Sequence, residues 1–231
     1  LMPAMLGWFA EGPNPDYGLL AFRQLSEALG TSSWYLRALR DEGWMAQRLA
    51  HIASSSRYVV NLLMRAPEMV QMLARSENLE LRPRELLSRS MSRDIGRSSD
   101  KAAAVASVRA LRRSELCRIA LADVLGAADV TTVGLALSDL AGATLDAALE
   151  LARREVDAPP VGVIGLGRWS GCELGYASDV DAMFVIPDGT GVEEQAAAIR
   201  LVRLACDLVE KPGPDPAMVV DTGLRPEGKG G

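Results

Sequence analysis

The chain has 231 residues, with 25 basic against 30 acidic side chains for a net charge of −5, 48% apolar residues, one histidine and three cysteines. This is enough for one or two globular domains with a true core. A single histidine excludes any mechanism that needs two, and Cys117, Cys172, Cys206 and His51 stand too far apart for a paired-ligand zinc motif.

From Asp16 onward the spacing predicts helix almost to Val156. Asp16 is the expected cap of a helix running to Leu29, with Leu19, Leu20, Phe22, Leu25 and Leu29 as its apolar stripe and Gly30 as its stop. Ser32 or Ser33 is the expected cap of the next, carrying Trp34, Leu36, Leu39, Trp44 and Leu49, with both tryptophans in the core. Ser56 precedes Tyr58, Val59, Leu62 and Leu63, and Pro67 suits the first turn of a short helix. Residues 79 to 99 are polar and basic, with Pro83 and Gly96, and read as a connection around one short helix. Two long helices follow, from Asp100 to Leu125 with Gly126 as stop and from Asp129 to Val156, of lengths that suit an antiparallel pair.

Charge is unevenly spread: residues 23 to 118 carry 17 basic and 10 acidic side chains, and residues 119 to 231 carry 8 and 18. The arginines of the basic stretch are interleaved with Leu and Ala at helical spacing, which marks solvated helix faces and gives no expectation of a nucleic-acid partner. No apolar run approaching the roughly 20 residues of a membrane span is read from the sequence, and the N-terminus lacks the basic start of a signal peptide. Unpaired cysteines suit a reducing compartment. No membrane partner and a cytoplasmic location are therefore the expectations. The chain opens at Leu1 without Met and closes on KGG, so it is expected to be a fragment.

Periodicity changes at Asp157-Ala158-Pro159-Pro160. Residues 161 to 167, 180 to 186 and 218 to 224 read as strands, with a helix over Glu193 to Glu210. The expected fold class is α+β, with a helical bundle over 1–157 and a partial catalytic core with a small mixed sheet over 158–231.

The chemistry sits in VIGLGRWSGCELGYASDVDAMFVIP. Asp179 and Asp181 lie two apart at the start of a strand, where side chains alternate, so both carboxylates point to one side. Their mutual repulsion is relieved by a divalent cation, and Mg²⁺ suits one or two carboxylates completed by substrate phosphates. Asp221 joins them if the third strand neighbours the second, and three carboxylates suit two cations and in-line attack at phosphorus. Gly167-Arg168-Trp169-Ser170-Gly171 forms a strand-to-helix turn where backbone N–H groups can meet phosphate oxygens, and Arg225 after the third strand can pair with phosphate. The glycines also imitate a dinucleotide fingerprint, but the third is one position late and the 12 residues between the strands barely allow a parallel crossover.

GLGRWSGCELGYASDVDAMF followed by VVDTGLRPEGKGG resembles the glutamine synthetase adenylyltransferases, of the DNA polymerase β-type nucleotidyltransferase superfamily. SSSRYVVNLLMRAPEMVQML and RRSELCRIALADVLG extend the resemblance upstream. It implies AMP transfer from ATP to a tyrosine of glutamine synthetase, with Mg²⁺ as cofactor and a PII-type nitrogen signalling protein as partner. ELGY at 173 to 176 is more like the adenylylating half than the adenylyl-removing half, which is one alternative; a catalytically inactive docking module is the other. The resemblance implies Asp179, Asp181 and Asp221 as catalytic metal ligands and Arg168, Ser170, Gly171 and Arg225 as nucleotide-binding residues. Ser170 stands where the family more often has Gly. Asp221 is the candidate to test as general base. His51 and Trp169 read as packing residues, with adenine stacking the alternative for Trp169.

Overall fold

A computed structural model describes residues 2–30, 32–41, 43–211 and 215–223. The helices are α1 (Met2–Ala10), α2 (Pro15–Leu29), α3 (Ser33–Asp41), α4 (Gly43–Ser55), α5 (Arg57–Arg65), two 3₁₀ segments (Pro67–Ala74 and Ser76–Leu79), α6 (Arg84–Arg97), α7 (Lys101–Val124) and α8 (Val130–Arg153). There follow β1 (Gly162–Gly165), α9 (Gly167–Ser170), β2 (Val180–Val185), α10 (Val192–Glu210) and β3 (Val220–Asp221). Predominantly helical with one small mixed sheet, the fold is α+β as expected. By internal contacts the chain forms two compact units, Leu1–Leu81 with Arg113–Val130, and Arg82–Arg112 with Thr131–Gly231. The shift in periodicity at 157 marks where strands begin, whereas α6 and nearly all of α8 belong to the same unit as the strands.

In the first unit large apolar side chains make the core. Met5, Phe9, Leu25, Met45, Leu49, Ile52 and Leu63 are wholly buried. α2 is capped by Asn14, whose side chain accepts the Tyr17 N–H at 3.2 Å, so the expected cap, Asp16, instead lies in the first turn, where its charge suits the positive helix end. Gly30 follows Leu29 with a right-handed backbone and so stops α2 without a left-handed turn. The single helix expected from Ser32 or Ser33 to Leu49 is two, α3 and α4. Tyr35 is the buried aromatic there, its hydroxyl 2.9 Å from that of Ser26, while Trp44 is 42% exposed beneath the Arg48 guanidinium and is not core. Ser56 caps α5 through the Val59 N–H at 3.2 Å, as its position predicts, and Pro67 opens a 3₁₀ segment. In the C-terminal half of α7, buried Glu115 and Arg118 pair at 3.0 Å, and Arg118 also donates to the Asn78 carbonyl. His51 lies 3.3 Å from the Val124 carbonyl, a packing role.

In the second unit, the one short helix expected within 79–99 is the 14-residue α6. It is tied to α8 by Arg84–Asp146 at 2.9 Å and Ser92–Glu150 at 2.7 Å, and Lys101 at the start of α7 meets Glu155 just past α8. Asp100 caps α7 by accepting the Ala103 N–H at 2.8 Å, and Gly126, at φ +68°, ends the following turn. α8 corrects the expectation that no stretch is long and apolar enough to span a membrane: its 24 residues pass that test of length and composition, although 78% of the apolar window is buried inside the protein.

The sheet has the order β1-β2-β3. β1 and β2 are antiparallel, with Gly162 opposite Val185 and Gly165 opposite Ala182, a pairing that the short connection permits and a dinucleotide-binding crossover does not. β2 and β3 are parallel, with Val180 beside Val220 and Asp181 beside Asp221. Alternation buries Val180, Ala182 and Val220 on one face. Asp181, Met183 and Val185 take the other, where Met183 and its cross-strand partner Ile164 are each 45% exposed.

Candidate active site

The β2–β3 register puts two of the three predicted carboxylates side by side. Neighbouring strands are about 4.8 Å apart, and register partners in a parallel pair project from the same face, so Asp181 and Asp221 stand together at the start of β2. Asp179, exposed, immediately precedes β2 at the two-residue spacing that returns a side chain to that face.

The turn from β1 into α9 closes over this end of the sheet. Leu166 donates its N–H to the Asp181 carbonyl at 2.9 Å. Gly167 then takes φ +53°, and a Cβ there would stand 2.2 Å from Oδ2 of Asp181. Both the left-handed backbone and the close approach require glycine. Asp221 is engaged too: its Oδ1 accepts the Gly223 N–H at 2.8 Å.

Arg168, Ser170 and Gly171 are all in this turn. The Nε of Arg168 donates to the Glu173 carbonyl at 3.0 Å, and the Glu173 N–H returns to the Arg168 carbonyl at 2.8 Å, so the arginine braces the turn. The Ser170 hydroxyl donates to the Gly167 carbonyl at 2.9 Å, its N–H to Leu166 and the Gly171 N–H to Gly167. The N–H groups that no helix carbonyl can reach are those of the first turn, at Gly167, Arg168 and Trp169. A reciprocal Gly175–Ser178 pair, at 2.9 and 3.1 Å, then tightens the lead into Asp179. Trp169 is 9% exposed and donates its indole N–H to the Ser138 carbonyl of α8 at 3.1 Å, which settles its expected role as packing. Arg225 lies outside the described residues.

Among the described residues no three His, Cys, Asp or Glu side chains are gathered closely enough to hold a metal ion. The donors themselves suit Mg²⁺: they are hard carboxylate oxygens on one sheet face, and that ion is held by one or two carboxylates plus substrate phosphates, without an all-protein cage. The cavities of about 310 Å³ beside Phe184 and Ile199 and about 290 Å³ beside Trp169 and Asp139 are not lined by these aspartates. Asp179 and Asp221 are exposed and Asp181 is half-buried.

Sequence reasoning placed Gly167 in the turn but missed its approach to the Asp181 carboxylate, and it missed Ser138, whose backbone carbonyl gives no signal at all.

Residues 46–231 match the family model for glutamate-ammonia ligase adenylyltransferase (GlnE). Aligned over its whole length, the chain is 55% identical to the bifunctional glutamine synthetase adenylyltransferase/adenylyl-removing enzyme of Cutibacterium acnes, covering 23% of that protein. It is 44% identical to the enzyme of the same name from Mycobacterium leprae, covering 24%, and 43% identical to that of Streptomyces coelicolor, covering 25%. The chain thus spans about a quarter of the length of the curated relatives it matches. The match carries the aspartate-bearing strands and the glycine turn together, and by it the chain belongs to the glutamate-ammonia ligase adenylyltransferase family.

Proposed function

We propose that this chain carries a nucleotidyltransferase site that moves AMP from ATP to a tyrosine of glutamine synthetase, and that it belongs to the adenylylating half of the enzyme. The observation that carries the proposal is the register of Asp181 beside Asp221, with Asp179 two residues upstream and the Gly167 turn pressed against the Asp181 carboxylate. Asp181 and Asp221, neighbours in register, and Asp179 two residues upstream would be drawn together around Mg²⁺, which when bound would neutralise phosphate charge and polarise the phosphorus under attack. Arg168, Ser170 and Gly171 belong to the turn that would meet the nucleotide phosphates, and Arg225, after β3 in sequence, would add a guanidinium. The exposure of Asp179 and Asp221 suits a protein acceptor, which must bring a tyrosine hydroxyl up to the phosphate.

In this reading residues 1–157 are the linking and regulatory helices, 158–231 are catalytic, the setting is cytoplasmic, and a PII-type signalling protein is a partner. The test is transfer of labelled AMP from ATP to glutamine synthetase by the intact protein. Asp179→Asn or Asp181→Asn is expected to reduce transfer by about a thousandfold or more, the scale of losing a charge-stabilising group. Transfer within tenfold of wild type would overturn the ligand assignment. If the variants instead lose phosphate-dependent release of AMP from adenylylated glutamine synthetase while transfer persists, the site belongs to the adenylyl-removing half.

A further inference from the structure

We propose that Trp169 is a positioning residue for the Asp181 carboxylate, held on a bed of small residues in α8; this rests on the nucleotidyl-transfer reading of the site. Gly134, Ser138 and Gly142 are four apart and so form one stripe along α8. A Cβ at Gly134 would stand 2.8 Å from the Cys172 carbonyl oxygen, and one at Gly142 would stand 2.8 Å from Cζ of Arg84. Between them the Ser138 carbonyl accepts the Trp169 indole N–H at 3.1 Å. The Ser138 hydroxyl is turned back onto the Gly134 carbonyl at 2.8 Å. The stripe is small because the turn, through Cys172 and Trp169, and the head of Arg84 occupy the space larger side chains would fill.

The indole also lies beneath β1, where a Cβ at Gly165 would meet its ring at 3.1 Å. A buried indole N–H needs an acceptor, so the Ser138 carbonyl fixes the direction of the ring as well as its depth. Trp169 sits two residues past Gly167, which touches the Asp181 carboxylate, and three past Leu166, whose N–H holds the Asp181 carbonyl. Contact therefore runs without interruption from α8 through Trp169 and the turn to Asp181. The ring acts through the turn on a metal-ligating group and does not itself touch the nucleotide.

Two variants test this from opposite ends. Trp169→Phe keeps most of the apolar bulk and removes the N–H. Gly134→Ala pushes on Cys172 and leaves Trp169 untouched. Amide exchange of Leu166 is measured in the intact protein, together with Mg²⁺-dependent ATP binding by calorimetry. In both variants Leu166 is expected to exchange about tenfold faster, the scale of one lost buried hydrogen bond, with exchange in α5 unchanged. ATP binding is expected to weaken by about tenfold, and adding Trp169→Phe to Asp181→Asn is expected to weaken it no further. Unchanged Leu166 exchange, or penalties that add in the double variant, would overturn the proposal. If the wild-type intact protein shows no Mg²⁺-dependent ATP binding, the nucleotidyl-transfer reading fails by itself, and Leu166 exchange still decides whether Trp169 positions the turn. Should Trp169→Phe not fold, Gly134→Ala decides by the same measurement.

Discussion

Both units have a core of large apolar side chains, with Leu87, Met91, Ile95 and Leu201 buried in the second, and they differ in what lies under the glycine turn. In the first, bulky side chains such as Phe9, Leu25, Tyr35, Met45 and Leu63 fill the space between helices, and stability is a matter of apolar volume. In the second, the face of α8 under the turn presents Gly134, Ser138 and Gly142, where Gly134 leaves room for the Cys172 backbone and Gly142 for the Arg84 side chain. Volume tolerates repacking, whereas an approach of this kind fixes position. A chain that must hold a carboxylate in place therefore has reason to build that part from its smallest residues.

The largest effect that separates the units is expected from Leu25→Ala. Emptying a wholly buried site should lower stability by about 2–5 kcal/mol, seen in the midpoint of thermal or urea unfolding, with Mg²⁺-dependent ATP binding by the folded fraction unchanged. Altered binding would break the division between volume and position. Gly167→Ala should do the reverse. Forcing an L side chain into the left-handed region costs about 1–2 kcal/mol, a smaller loss in unfolding midpoint, yet the new methyl displaces the Asp181 carboxylate and ATP binding should disappear.

The helix caps give the smallest expected effect and sharpen the comparison by pH. In the first unit the α2 and α5 caps, Asn14 and Ser56, are neutral. In the second, carboxylates serve: Asp100 caps α7, and Asp139 accepts the backbone N–H of Arg84 at the start of α6. The Ala103 N–H, helped by the Ser99 hydroxyl, holds the Asp100 carboxyl below its usual value, so its stabilisation is present above that value and is lost as pH falls through the lowered one. Burial pushes Asp139 up, the Arg84 N–H offsetting only part of this, so stability is lost as pH rises through the raised value. Asp100→Asn should flatten the acid limb of the stability curve and Asp139→Asn the limb above the ordinary carboxylate range, both read from unfolding midpoints between pH 3 and 8. Unchanged curves would remove the carboxylate caps as a distinguishing feature.

Much of this was legible in the sequence where a local rule decides. Ser56, Asp100 and Gly126 act as caps and stop because capping depends on a residue and its near neighbours. The strand pattern marked β2 and β3, whose pairing sets Asp181 beside Asp221, because strand alternation is a rule of two residues. What escaped depends on distant parts of the chain or lacks a period. α1, MPAMLGWFA, is apolar nearly all round and shows no stripe. Trp44 is apolar by type, but the Arg48 guanidinium covers its ring at the surface. Asn14 outcompeted Asp16 because a proline between them takes the first helical position and leaves Asn14 as the flanking residue. The bed under the turn is written in glycines, whose meaning appears only once Cys172 and Arg84 are seen against them.

α7 begins in one unit and ends in the other, so the first unit is assembled from two stretches separated by residues 82–112. On the ribosome its core is incomplete until the segment through Val130 has emerged, by which time α6 and the first half of α7 have been made. The first unit therefore folds late for its place in the sequence, and a cut after Leu81 would release helices that lack the buried Glu115–Arg118 pair and the carbonyl contact it makes at Asn78.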